Sequence, residues 1–478
     1  MREVQSTEPT LEKRLSPLNA WAFSFACSIG WAAYVMPATF FLPNGGIPGS
    51  IWGFLAGGAV MCLIALNYHY LGNTYPTQGG IYNLVKASLT RSNAFAASWA
   101  MGLAHLCCIP LNAKAMAMLT RTILEEIFGL DFEVLFFHSD TLMVEAVIVV
   151  IGLLLFGMLN IRGIRQTARI QTVGAIVLLG GIVIMLIASA VTVRDPARCF
   201  TPSYYPGTAP GQGFMTIFIM TPWAFVGFDS LSKVSTELNF SKKKLGLIMI
   251  ISVACGTFAY VGNVLITLLS LPEGFSAWPE YLDSLQGLAG VSGFPVAIAA
   301  KQAMGPVGTV IFLASCLSAT LTGLIGFFAS ISRLIFQMAR DGALMPGLGK
   351  VDPKRGTPAN AIRLVVVIAL GLSLMRNSFD FIEELASVAT AIGYGYCSFA
   401  ALINAIKQRK TLYIFTGTGG ILASFAWIFF LLIPVRTLSS AISETAMMYV
   451  IFWVFLGIAV YVFANRKKKE SILGSWKA

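Results

Sequence analysis

Long apolar runs and short polar gaps alternate along the whole chain. Twelve runs stand out, over residues 19–42, 46–72, 93–119, 141–160, 167–193, 211–237, 245–270, 305–339, 358–376, 381–405, 411–434 and 443–465. An α-helix needs about 20 such residues to cross a ~30 Å hydrocarbon core. No polar stretch is longer than about thirty residues, too little for a separate soluble domain. The pattern predicts an all-α integral membrane protein with twelve transmembrane helices.

Two runs are interrupted. The first holds "SIGWAAYVMP" (28–37), with Gly30 beside Trp31 and then Pro37. The sixth, "MTIFIMTPWAFVGFDSLSKVSTEL", holds Pro222 and Gly227 near its centre. Proline removes a helical N–H and clashes with the preceding turn. Glycine costs about 1 kcal/mol against alanine in a helix. Broken backbone is tolerated at membrane depth only where it is buried in protein or lines a cavity. Runs one and six occupy corresponding places in two five-helix halves, so the breaks predict a 5+5 inverted repeat with helices 1 and 6 broken and a binding site at the midplane. Freed N–H groups at half-helix N-termini suit a carboxylate, and freed carbonyls suit an ammonium. An α-amino acid carries both. The organisation that follows is a transporter core at 19–405, made of repeats 19–193 and 211–405, then helices 11 and 12 at 411–465, with tails at 1–18 and 466–478.

Composition agrees with the pattern: 56 % of residues are hydrophobic and 12 % charged, against roughly 25 % charged in soluble domains. Charge placement adds orientation. Of the 33 Lys and Arg residues, 25 fall in the tails and in or beside the gaps after even-numbered runs, six after odd-numbered runs, and two, Lys114 and Lys233, within runs. Basic residues collect on the cytoplasmic side. Both termini are therefore expected in the cytoplasm, in a multi-pass protein of the cell inner (plasma) membrane. The net charge of +11 then reflects topology and contact with anionic membrane lipid, with no nucleic-acid partner.

Several classes of chemistry are disfavoured. The first residues lack a small-residue cleavage site, unlike a removable signal peptide. Seven of the eight cysteines lie within apolar runs and no CxxC pair occurs, so neither a disulfide framework nor a zinc site is expected. No Walker-type segment points to ATP-driven transport. The three histidines form no HExxH, and no GxSxG serine has a histidine in reach, so no catalytic residue, metal or cofactor is expected. The acidic gap at 121–140 reads as a solvated loop.

Four stretches carry a family resemblance. They are "SIGWAAYVMPATFFLPNGG", "YPTQGGIYNLV", "PWAFVGFDSLSKVSTELNFSKKKLG" and "SISRLIFQMARDGALMPGLGKVDPKRGTPANA". They resemble helix 1, the loop after helix 2, helix 6 with its basic loop, and the end of helix 8 in the amino acid–polyamine–organocation transporter superfamily, of bacterial amino acid permease or antiporter type. The resemblance implies a LeuT-like fold and a secondary transporter of an amino acid or related amine. Alternating access would move helices 1, 2, 6 and 7 against 3, 4, 8 and 9, as exchanger or cation symporter; a polyamine or organic-amine antiporter of the same fold is the alternative. Ile29, Gly30, Trp31, Ala32 and Ala33 would face the substrate carboxylate. Trp223, Ala224, Phe225, Val226 and Gly227 would face the amine and side chain. Similarity to arginine–agmatine antiporters makes Trp223 a gate and puts Phe327 across the pocket. The implied partners are the small-molecule substrate, an exchanged or co-transported ion and membrane lipid, with the chain a monomer or homodimer. Two departures stand out. Trp31 and Ala32 replace a small residue and a glycine, which narrows the pocket towards a small or medium substrate. Leu178 stands near the place of a helix-5 lysine that some proton-coupled members carry; Ser330 and Ser332 are the candidates for a sodium-binding pair.

Ionisable groups at membrane depth are costly and face cavities or partners. Asp229, Lys233 and Glu237 recur every four residues on one helical face. They form either an ion-pair ladder or a charged element beside the path, with Asp229 a proton-sensitive gate. His105 is either a hydrogen-bonded packing residue or a proton-handling group. Lys114 sits about 13 Å further out at 1.5 Å per residue, placed to snorkel. Glu383 and Glu384 begin helix 10, where acids suit the helix dipole.

Overall fold

The computed structural model describes residues 15–75, 80–126, 128–129, 141–285, 293–375, 378–434 and 441–475. Most of the amino-terminal tail, residues 76–79 of the helix 2 motif, most of the acidic gap, and Arg376 and Arg436 lie outside the described residues. The first run is divided into α1 (Pro17–Ser28) and α2 (Ala32–Met36), and a π-helical turn over Pro37–Phe41 leads into α3 (Leu42–Thr74). The short α4 (Gly80–Ser88) precedes α5 (Arg91–Glu126), α6 (Thr141–Arg162) and α7 (Ile164–Thr192). The sixth run is divided into α8 (Pro210–Ala224) and α9 (Ser230–Lys233). Then come α10 (Leu245–Leu269), α11 (Trp278–Ser284), α12 (Pro295–Met304), α13 (Pro306–Arg340), α14 (Ala359–Ser373), α15 (Ser378–Lys407), α16 (Thr411–Leu432) and α17 (Glu444–Ser475). Among the described residues, an isolated bridge between Leu15 and Leu238 is the only β-structure.

Nine helices among the described residues are long and apolar enough to cross a membrane. Three of the expected runs take another form: the first and sixth are split, and the ninth is the 15-residue apolar helix α14.

Local chemistry explains where the split helices stop. α1 starts at a capping box, in which Ser16 and Asn19 each bond the other's backbone N–H, with Pro17 next. At its end the Ser28 hydroxyl turns back onto the Phe25 carbonyl at 2.8 Å, and Ile29 is extended. Such local bonds compete with the helix ladder. Gly46, at φ 61° and ψ −174°, makes the corner where the first run ends and the second begins. In the sixth run the helix continues past Pro222 to Ala224, and the break comes later, over 225–229. Pro222 has no N–H for the carbonyl of Phe218. That carbonyl instead accepts the Thr221 hydroxyl at 2.6 Å and the Trp427 indole N–H at 3.0 Å. The proline is thereby tolerated, and Gly227, at φ 120°, makes the break.

Packing relates the two halves. Count α1/α2, α3, α5, α6 and α7 as runs one to five, and α8/α9, α10, α13, α14 and α15 as six to ten. A shift of five then carries most packed pairs onto other packed pairs. α3 packs on α8, and α10 on α1; α7 packs on α13, and α15 on α5; α1 packs on α7, and α8 on α15. The pairs α5–α13, α3–α10 and α6–α14 map onto themselves. α13 is buried along most of its length, whereas α6 and α17 turn large apolar residues outward, among them Met143, Ile151, Phe452 and Phe455. Such a broad apolar exterior is suited to lipid.

Candidate functional site

The two breaks meet backbone to backbone. A Cβ on Gly227 would lie 2.6 Å from the carbonyl oxygen of Cys27, the residue before the end of α1. The Ser24 hydroxyl donates to the Phe228 carbonyl at 2.9 Å, and the Tyr260 hydroxyl to the Ala224 carbonyl at 2.7 Å. Carbonyls freed by the break in the sixth run are thus used to hold it against α1 and α10. Ile29 and Phe225 are fully buried and meet over Gly256 of α10. Ala33, Ala224 and Val226 are buried, Ala32 and Trp223 nearly so. Gly30 is half-buried. Beside it lies Asn112 of α5, whose Nδ2 donates to the Cys108 carbonyl at 2.8 Å while its Oδ1 is buried without a hydrogen-bond partner. An orphaned buried acceptor is costly, and this one lies packed between Gly30 and Gly323 of α13.

A buried polar cluster gathers on Asp229, the last residue of the break in the sixth run. Asp229 is ion-paired with Lys233 one turn on, and both side chains are inaccessible to solvent. His105 of α5 places Nε2 3.3 Å from Asp229 Oδ1 and 3.3 Å from Lys233 Nζ. Its Nδ1 is 2.8 Å from the Ser330 hydroxyl of α13, and the Tyr394 hydroxyl of α15 donates to Asp229 at 3.5 Å. Phe327 stands edge-on to the His105 ring at 5.4 Å. The structure therefore brings His105, Asp229 and Phe327 together, on α5, the broken sixth run and α13. Sequence spacing connects Asp229 to Lys233 but gives no sign of Tyr394 or Asn112, which lie far off along the chain.

Two expectations need correction. The ladder of Asp229, Lys233 and Glu237 is not continuous. Helical geometry ends at Lys233, so Glu237 no longer shares its face. Glu237 instead takes a two-pronged bond from Arg333 of α13, at 2.9 and 3.3 Å, with both side chains 2 % exposed. Ser330 and Ser332 do not form a pair. Two residues apart on a helix they point differently: Ser330 faces His105, and Ser332 bonds the Ala329 carbonyl. Leu178 is buried, and its carbonyl accepts the Ser315 hydroxyl at 2.9 Å. Among the described residues no group of three or more His, Cys, Asp or Glu could hold a metal ion.

Trp31 is set apart from this cluster. It is half-buried and lines a chamber of about 200 Å³ on the other side of the first break, towards the Glu126 end of α5. At the opposite end of α1 the chain is tied to the end of the sixth run. The Leu15 N–H donates to the Glu237 carbonyl at 2.8 Å, and the Asn239 N–H to the Leu15 carbonyl at 3.0 Å. Nearby, Asp341 takes ion pairs from Lys86 and Arg91 and the Tyr82 hydroxyl at 2.6 Å. Partial burial works against its charge, but the bonds from Lys86 and Tyr82 and the charges of Lys86 and Arg91 hold its carboxyl below the usual carboxylate range.

A family profile described as amino acid permease matches residues 15–462, which include both breaks and the buried cluster. The chain belongs to the amino acid permease family. Its relatives include a branched-chain amino acid permease of Lactococcus lactis subsp. cremoris, 25 % identical over 438 residues and covering 88 % of each chain. A methylthioribose transporter of Bacillus subtilis is 24 % identical over 479 residues, 97 % of this chain and 96 % of the relative. The human large neutral amino acids transporter small subunit 2 is 26 % identical over 400 residues, 80 % of this chain and 69 % of the relative. The permease is thus a multi-pass membrane protein that transports amino acids, and it is not an enzyme.

Proposed function

We propose that the permease carries a neutral, apolar-side-chain L-amino acid by alternating access, with the substrate held between the two breaks. The observation that carries this reading is the contact of Gly227 with the end of α1, which puts both interrupted backbones at one place. Ile29, Gly30, Trp31, Ala32 and Ala33 form the carboxylate side, and Trp223, Ala224, Phe225, Val226 and Gly227 the amine and side-chain side. Trp223 gates this site and Phe327 closes it from α13. Charge balance favours a zwitterion over a polyamine. The acids beside the breaks, Asp229 and Glu237, already have Lys233 and Arg333 as counter-ions. A polycation would need carboxylates of its own. The branched-chain and large-neutral relatives point the same way.

Asp229 and His105 are the proton-handling candidates. They join the sixth run to α5, one on each side of the motion that alternating access requires, so a change in His105 charge alters their attraction. Twelve crossings with both termini in the cytoplasm of the plasma membrane agree with the distribution of Lys and Arg. The test is uptake of labelled leucine, isoleucine, valine, arginine and putrescine into proteoliposomes, with and without internal substrate. The aliphatic amino acids should be taken up saturably and compete with one another. Uptake of putrescine alone would establish the organic-amine alternative.

A further inference from the structure

The chamber lined by Trp31 has the chemistry of a ligand site. Its volume of about 200 Å³ far exceeds the ~10–15 Å³ that one water needs. Its walls are largely apolar, with Trp31 and Val35 from the first run, Met118 and Leu119 from α5, and Phe294 from the segment before α12. Its polar groups are Arg121, Thr122 and Glu145.

Glu145 is the informative residue. It lies in the second turn of α6, in line at four-residue spacing with the buried Val149 and Leu153. The opposite stripe of Met143, Val147 and Ile151 is exposed. The carboxyl therefore faces into the protein at the head of a buried stripe, where an acid is costly and marks a pathway or partner. Arg121 lines the same chamber as Glu145, and its Nε pairs with Glu125 at 2.9 Å. Both signs of charge are present around one apolar cavity.

We propose that this chamber is a second binding site, which holds a zwitterionic amino acid on the outer side of the first break before it reaches the central site. The substrate carboxylate lies towards Arg121, its ammonium towards Glu145, and its side chain against Trp31 and Phe294. The proposal rests on the neutral amino acid reading and the orientation given above. The chamber shares Trp31 with the proposed central site, whereas His105, Asp229, Lys233 and Tyr394 do not line it. Trp31, the residue that departs from the family pattern, then separates two sites.

The test is protection from labelling. Cys316 also lines the chamber, so Met118→Cys is placed in a Cys316→Ala background. A membrane-impermeant maleimide is added from outside, with and without L-leucine. Leucine should slow labelling at least about fivefold, and putrescine should not. Equilibrium binding of labelled leucine to the wild-type protein should give two sites, and one after Glu145→Gln. Absent protection in a parent that transports leucine would overturn the proposal, as would a single wild-type site. A parent that takes up no leucine overturns the substrate reading beneath it, and uptake alone reveals that.

Discussion

Gly227 leaves no room for a side chain, because its φ of 120° is strained for any L-residue and a Cβ would strike the Cys27 carbonyl. Gly227→Ala should lower uptake at least about tenfold while the protein still reaches the membrane, measured as uptake normalised to surface protein. Uptake equal to wild type would separate the two breaks. Trp31 gives a second prediction. Trp31→Ser should widen the substrate range in a competition panel, and an unchanged range would refute its role in selectivity. Individual residues were legible in the sequence only where the helix period relates neighbours. Asp229 and Lys233 could be paired from their spacing. Glu237 could not be assigned to Arg333, because the helix that would have kept it on the same face ends at Lys233. His105 and Tyr394 reach Asp229 from α5 and α15, and no local pattern encodes that meeting.

At the scale of elements, the position of a break depends on what replaces the missing bonds. Thr221 and Trp427 satisfy the carbonyl that Pro222 abandons, so the helix runs on to Ala224. Thr221→Val combined with Trp427→Phe should cost about 1–3 kcal/mol and lower the melting temperature in detergent; an unchanged midpoint would show the carbonyl satisfied some other way. The sequence therefore told which runs are broken, while the exact break depended on a tryptophan two hundred residues away. The pair of Glu237 and Arg333 ties the sixth run to α13. Glu237→Ala should destabilise by about 3–5 kcal/mol, because it strands a buried guanidinium, whereas Glu237→Met with Arg333→Leu should recover most of that loss. Equal losses in the two variants would contradict the explanation. α4, α5 and α13 are joined through Asp341. Its folded pKa lies below the unfolded one, so its stabilisation is complete above the unfolded value of ~3.9 and disappears as pH falls through the folded value. Asp341→Asn should therefore lose less melting temperature than wild type between about pH 6 and about pH 3. A larger loss in the variant would reverse the sign of this account.

For the whole molecule, the exchange of packed pairs on a shift of five runs is what alternating access needs. In the mechanism proposed above, two halves with the same contacts would trade geometries, so that the proposed site between them faced either side in turn. In this structure the Leu15, Glu237 and Arg333 contacts tie the start of α1 and α13 to the sixth run at one end, and the Trp31 chamber lies towards the other. The run pattern and the placement of two breaks were enough to reach this architecture, since hydropathy and helix breaking are local properties. Selectivity was less legible, because in the proposed reading it depends on how charges from separate runs cancel. The central claim is that a net-neutral amino acid alternates between two faces of one site. Leucine exchange in proteoliposomes tests it most directly. Internal leucine should accelerate entry of labelled leucine several-fold, with saturation, and external putrescine should leave entry unchanged. Entry that does not saturate and ignores internal leucine would contradict the account.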